Sequence, residues 1–296
     1  MLIHKAIFYS SFLLIPFLLI LIGIVCKGWR RLTEKKILLG VLVINILGSL
    51  LFSYSRFVEP NVILTKTTEI RVGFSSKIVV ISDLHLGVYK SSHFLKRIVT
   101  KINKMEDVDA VLIPGDFTYY APKDLELLFS PLKDLRFPVY AVLGNHDSEN
   151  PGPRIQEELR KALEANEVIF LHNSSSELKN KDITILGLGD KWANQDNVSQ
   201  INDFQGETNL IVMAHNPDTV LTYENSIADL TVAGHTHGGQ IRIPFIYKQM
   251  IPCTNDFDQG LYETENGYVF VSAGVGEIGL PMRFGVPPTI EILELY

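Results

Sequence analysis

From Lys77 onward the chain alternates short β-branched runs with amphipathic stretches. KIVVIS is followed by HFLKRIVTKINKM, in which Phe94, Ile98, Ile102 and Met105 recur at helical spacing. AVLI (Ala110 to Ile113) is followed by KDLELLFSPLKDL, which sets Leu125, Leu128, Leu132 and Leu135 on one face and carries Pro131 as a kink or break. VYAVL (Val139 to Leu143) precedes PRIQEELRKALEA, a good helix former with Pro153 near its start. Such alternation predicts βαβ units and a sheet with helices on its faces. After Leu178 the links shorten, between the strands ITILGL, NLIVMA, LTVA and YVFVSA. The pattern predicts an α/β fold of two mixed β-sheets in a sandwich flanked by helices.

The N-terminal part is different. Ala6 to Cys26 and Ile37 to Ser55 hold no charged residue. At ~1.5 Å per helical residue, each run is long enough for a hydrocarbon core of ~30 Å. A cleavable signal peptide fits the first run poorly, because the run is too long and no small-x-small cleavage site follows it. Two transmembrane helices, about 6–26 and 37–55, are expected. The loop between them, KGWRRLTEKK, carries five basic residues against Glu34. The positive-inside rule makes that loop cytoplasmic and places both termini, and everything beyond Arg56, outside. The expected organisation is a membrane anchor over 1–56, a connector over 57–76 with an edge strand near Val62 to Leu64, and a catalytic domain over 77–296.

Composition adds exclusions. A net charge of −6, with no dense basic run outside the short loop, argues against a nucleic-acid-binding surface. The two cysteines, Cys26 and Cys253, give no readable disulfide framework.

The chemistry lies where the strands end. VVIS runs into Asp83-Leu84-His85, AVLIPG into Asp116, VYAVLG into Asn145-His146-Asp147, LIVMA into His215, and LTVAG into His235-Thr236-His237. Ligands of open α/β sheets gather beyond the carboxyl ends of the strands. Taken singly, each motif has an ordinary explanation: Gly115-Asp116 is a common turn, Gly144-Asn145-His146-Asp147 suits an Asx turn, and a lone His215 suits packing or capping. Five such ends in one chain point to one constellation. His4, His93 and His172 read instead as flank, helix-start and loop residues. Carboxylate, amide and imidazole donors without cysteine suit borderline divalent cations such as Mn²⁺, Fe²⁺ or Zn²⁺. Arg242 and Arg283 are candidates for a phosphate contact, although an arginine near a loop is more often structural. Phe117 to Tyr120 follows a ligand and has a similar pair of readings, cleft wall or loop packing.

In these motifs the chain resembles the calcineurin-like metallophosphoesterase superfamily, whose pattern D-x-H, G-D, G-N-H-[DE], H and G-H-x-H is complete here. ISDLHLG, AVLGNHD, MAHNPD, AGHTHGGQIRIP and GLPMRFGVPPTIEILEL are similar to its membrane-associated bacterial phosphodiesterase branch. Pro114 departs from the Thr usual before Gly-Asp. The resemblance implies two metal ions, Mn²⁺ first among the candidates. Asp83, His85 and His237 would hold one, Asn145, His215 and His235 the other, and Asp116 would bridge them. It further implies attack by a hydroxide shared between the ions, with His146 protonating the leaving group or stabilising phosphoryl oxygens, and Asp147 orienting His146.

The expected function is a membrane-anchored, metal-dependent hydrolase of a phosphodiester or pyrophosphate bond in a lipid-linked or envelope substrate. One alternative, implied by some members of the branch, is the UDP-2,3-diacylglucosamine pyrophosphatase of lipid A synthesis, which needs a cytoplasmic active site. An inert membrane-anchored binding domain is the non-enzymatic alternative, and the complete ligand set argues against it.

Overall fold

The computed structural model describes residues 2–13, 18–20, 22–23, 35–148, 155–204, 209–223 and 228–296. Its strands run in chain order β1 (Leu64–Ile70), β2 (Ser76–Val80), β3 (Leu86–Gly87), β4 (Ala110–Pro114), β5 (Thr118–Tyr119), β6 (Val139–Val142) and β7 (Val168–Phe170). They continue with β8 (Ser174–Glu177), β9 (Ile183–Gly187), β10 (Asn209–Met213), β11 (Leu230–Ala233), β12 (Gly260–Thr264), β13 (Gly267–Val271) and β14 (Thr289–Leu295). One sheet has the order β1-β14-β2-β4-β6-β7, and the other β12-β13-β11-β10-β9-β8. In the first, β2, β4, β6 and β7 are parallel. In the second, β9, β10, β11 and β13 are parallel.

The sandwich is built by strands buried on both faces, which is why they read as unbroken apolar runs. Ile78, Val80, Leu112 and Val142 face Ile185, Ile211, Met213 and Val232 of the other sheet. Val79, Ile81, Val111 and Ile113 point outward beneath the helices Ser92–Ile102, Leu125–Phe129 and Gln156–Ala165. The first helix covers them with Phe94, Leu95, Ile98, Val99 and Ile102. Fully burying one such side chain contributes about 1.5–3 kcal/mol. Pro131 acts as expected: the helix stops at Phe129, and a 3₁₀ segment, Ser130–Asp134, carries Pro131 near its start. Pro153 lies outside the described residues.

Among the described residues, one helix is long and apolar enough to cross a membrane, over Leu39–Asn61. Its outer face, with Ile44, Leu47 and Leu50, is exposed. The other expected span lies partly outside the described residues. Its beginning is helical, Leu2–Ser10 followed by Ser11–Leu13. Phe12 packs on Phe57, and Arg56 lies over the Phe8 ring. The start of the first apolar run therefore sits level with the end of the second.

The connector is more ordered than its sequence suggests. The edge strand begins at Leu64, runs to Ile70, and pairs in parallel with β14. The helix end is tied to the loop before β14: the Arg283 N–H donates to the Ser55 carbonyl (3.0 Å) and the Val286 N–H to Glu59 Oε1 (2.7 Å).

Candidate metal centre

The carboxyl ends of β2, β4 and β6 from one sheet meet those of β10 and β11 from the other. Backbone bonds carry the ladder past the strands: the Asp83 N–H donates to the Gly115 carbonyl, His85 N–H to Asp116, and Gly234 N–H to His215. The chain then turns sharply. Asp83, His85, Asp116, His235 and His237 all adopt positive φ, between 42° and 73°. Such backbone costs about 1–3 kcal/mol per residue and clusters at functional sites. Two glycines make room. A Cβ on Gly144 would lie 2.2 Å from Asp116 Oδ1, and one on Gly234 would lie 1.9 Å from Ser82 Oγ.

All seven sequence-predicted ligands converge, in two groups that share one carboxylate. His85 Nε2 lies 3.0 Å from His237 Nε2 and 3.4 Å from Asp116 Oδ2, while His237 Nε2 lies 3.4 Å from Asp83 Oδ1. On the other side, His215 Nε2 lies 3.3 Å from the same Asp116 Oδ2, 3.0 Å from Asn145 Oδ1 and 3.2 Å from His235 Nδ1. The donor atoms of Asp83, His85, Asp116 and His237 lie within 4.8 Å of one another, all buried.

The histidine tautomers show what this arrangement fits. His215 Nδ1 faces the Pro114 carbonyl at 2.8 Å, His85 Nδ1 the Thr118 carbonyl at 3.3 Å, and His235 Nε2 the Pro252 carbonyl at 3.0 Å. A carbonyl only accepts, so these nitrogens carry the protons and the opposite ring nitrogens present lone pairs to the centre. The facing lone pairs of His85 Nε2 and Asp116 Oδ2 at 3.4 Å, and of His215 Nε2 and His235 Nδ1 at 3.2 Å, repel unless a proton or a metal cation lies between them. The donor set thus fits divalent metal. Pro114 costs nothing here, because its carbonyl, not its nitrogen, orients His215.

The electrostatics agree. Burial drives His85 and His235 down to about 3, and lowers His237, so all three favour neutral imidazole. Burial alone would lower His215 too, but the Asp116 carboxylate reverses this and raises it to about 10. Burial works against ionised Asp116, yet His215 and His85 hold it well below the usual carboxylate range. The charges that favour a proton on His215 equally favour a divalent cation beside Asp116.

His146 donates its backbone N–H to Asp116 Oδ1 (3.0 Å), and its half-buried ring stands edge-on to His85, 5.2 Å between centroids, and to Tyr119 at 5.9 Å. Tyr119 thus packs against the rings of both His85 and His146. Asp147 accepts from Phe117 N–H, Thr118 N–H, Thr118 Oγ1 and Gly144 N–H, which ties the Asp116 loop to the Gly144 turn. Neither candidate arginine takes a phosphate position. Arg283, fully buried, donates to the carbonyls of Ala273, Gly276 and Val286. Arg242 bonds Asp258 and the Gly238 carbonyl.

Sequence reasoning missed two residues. β9 leads through Leu188 into Gly189-Asp190, a sixth strand end of the same kind. Asp190 is buried, with one oxygen accepting from Ala193 N–H, and its charge acts on His215. Trp192 packs edge-on to His235 with centroids 4.5 Å apart. The signal, an apolar run ending in Gly-Asp, stood in ITILGLGD.

A cavity of about 410 Å³ opens over this centre. Asp116, Asn145, His146, His235 and His237 lie at its floor, and Trp192, Ile241, Met250, Pro252, Ile278 and Leu280 form apolar walls.

A family model described as calcineurin-like phosphoesterase matches residues 76–239. The chain belongs to that family, and its class is that of a metal-dependent phosphoester hydrolase. An uncharacterized metallophosphoesterase of Campylobacter jejuni is 33% identical over 74% of this chain and 59% of its own length, so the match leaves over a third of that relative uncovered. An uncharacterized metallophosphoesterase of Bacillus subtilis, YkuE, is 29% identical over 90% of this chain and 98% of its own. The phosphodiesterase YaeI of Escherichia coli is 27% identical over 74% of this chain and 82% of its own.

Proposed function

We propose that the protein is a membrane-anchored dinuclear phosphoesterase that hydrolyses a phosphodiester or pyrophosphate bond in a lipid-linked substrate of the cell envelope. In this reading residues 1–56 form a two-pass anchor, 57–76 the connector and 77–296 the catalytic domain on the extracytoplasmic face. Asp83, His85 and His237 would hold one ion and Asn145, His215 and His235 the other, with Asp116 shared. Two divalent cations, Mn²⁺ by preference, supply Lewis-acid activation of water and charge neutralisation at the phosphoryl oxygens. His146, facing the cleft beside His85, donates a ring proton to the leaving oxygen. Asp147 holds the loop that presents His146, through its bonds to Phe117, Thr118 and Gly144.

The observation that carries the lipid assignment is the cleft: a polar floor beneath apolar walls fits a phosphate joined to an apolar group. Its lip continues into exposed apolar residues, with Phe245 96% and Met250 72% exposed. Leu280, in the cleft wall, lies on the loop that bonds the end of the membrane helix. In this reading the mouth of the cleft lies near the bilayer surface. The name of the Escherichia coli relative supports a diester rather than a monoester substrate.

The test compares dodecyl and methyl p-nitrophenyl phosphate with the full chain in detergent and Mn²⁺. Each buried methylene contributes about 0.8 kcal/mol, so the long chain should raise kcat/KM by about 10-fold or more. Phe245→Asp should reduce only the long-chain value. Equal kcat/KM for the two esters would overturn the lipid assignment while leaving the phosphoesterase intact.

A further inference from the structure

A second cavity, of about 310 Å³, lies at the junction of membrane helix and catalytic domain, away from the metal centre. Arg56, His93 and Arg97 line it together with Lys90 and Glu277. Lys90 is already committed: its ammonium lies 3.2 Å from Glu277 and donates to the Pro60 carbonyl at 2.7 Å. Three cations against that one carboxylate leave an excess of positive charge on Arg56 and Arg97.

Arg56 is 7% exposed, and its Nη2 has no hydrogen-bond partner among the described residues. Its Nε donates to Ser11 Oγ at 2.9 Å. Phe8, Phe12 and Phe57 stand 4.6–5.4 Å from the guanidinium carbon, all within cation–π range. Rings satisfy the faces of a planar guanidinium but not its in-plane N–H groups. A buried N–H left without an acceptor costs about 1–3 kcal/mol, more on a charged group. Arg97, on the exposed rim, donates one N–H to the Asn61 carbonyl at 2.8 Å.

The depth is set by the same residues. Arg56 and Phe57 fall in the last turns of the apolar span, and Tyr9 and Tyr54 stand exposed beside them. Aromatic and basic residues at a helix end mark the headgroup level of a bilayer. The anion at that level is phosphate.

We propose that this cavity binds the phosphate of an anionic lipid headgroup, with Arg56 as the buried ligand and Arg97 as the rim ligand. The site is separate from the catalytic centre. Occupied, it fixes the catalytic domain against the membrane face.

The full chain, purified in dodecylmaltoside, is titrated with dioleoylphosphatidylglycerol and, separately, with inorganic phosphate, and binding is read by native mass spectrometry and thermal shift. The expected result is retained phosphatidylglycerol whose affinity falls about 10-fold in Arg97→Gln and in Arg56→Gln. Hydrolysis of bis-p-nitrophenyl phosphate in detergent stays unchanged in Arg97→Gln. Lys66→Gln, which removes an exposed charge outside the cavity, leaves binding intact. If inorganic phosphate alone shows the same arginine dependence, the phosphate site stands and its source is the free anion. Should Arg56→Gln fail to fold, Arg97→Gln decides. Phosphatidylglycerol binding that is equal in wild type and Arg97→Gln, or that falls equally in Lys66→Gln, would overturn the proposal.

Discussion

Asp116 stands between the two groups of donors, with one oxygen 3.4 Å from His85 Nε2 and 3.3 Å from His215 Nε2. Asp116→Ala removes the carboxylate between the two groups and leaves six buried donors facing one another, so metal content measured by elemental analysis should fall sharply. His146→Ala has a different signature. Metal content should persist, while turnover of a diester with a poor alkoxide leaving group falls by about 10²-fold or more and that of a p-nitrophenyl ester falls far less. Equal losses would argue against proton donation by His146. The ligand types were legible in the sequence because each followed an apolar run and had no packing reason to be polar. Their positive φ values, the tautomers and the bonds of Asp147 were not legible, since carbonyls distant in sequence, such as Pro114 for His215 and Pro252 for His235, create them. Asp190 was legible and was passed over.

At the scale of elements, the loop between β13 and β14 holds the site from beneath. Gly276 N–H donates to the Asp83 carbonyl (2.7 Å), and Arg283 gathers three carbonyls of the same loop around its guanidinium. Arg283→Met should lower stability by about 3 kcal/mol or more, read as a loss of Tm, because buried carbonyls lose their donors. The sequence offered Arg283 as a candidate phosphate contact beside the commoner structural reading, and the fold shows the structural one. Glu291 in β14 supports the same loop, accepting from Ser272 Oγ and Ala273 N–H, and burial raises its carboxyl to about 7. The fold therefore holds a proton that the unfolded chain releases near pH 4.5. Stability should fall as pH rises from about 4.5 to 7 and level off above. Glu291→Gln should flatten that slope and raise Tm at pH 8, and an unchanged slope would contradict the assignment. The two sheets themselves were readable from runs buried on both faces. The register of β1 with β14 was not, because LTKTTEI carries almost no apolar signal.

For the whole molecule, the question is how the candidate metal centre is placed relative to the apolar helix. Helix end, connector and the β13–β14 loop are bonded together, which ties the loop bearing the Leu280 wall of the cleft to the end of the apolar helix. The basic loop at 27–36 predicts that a C-terminal alkaline phosphatase fusion is active and a C-terminal fluorescent protein fusion is dark. The opposite pattern would move the active site to the cytoplasm and make a nucleotide-linked lipid such as UDP-2,3-diacylglucosamine the substrate to test. The central claim is nearer the chemistry: we propose a hydrolase in which two ions would share Asp116. Its most direct test is metal stoichiometry and bis-p-nitrophenyl phosphate hydrolysis, measured side by side on wild type and Asp116→Asn after Mn²⁺ loading. The account predicts two ions per wild-type chain, activity abolished by chelation, and loss of both metal and activity in the variant. Full metal content with undiminished hydrolysis in Asp116→Asn, or hydrolysis that survives chelation, would contradict it.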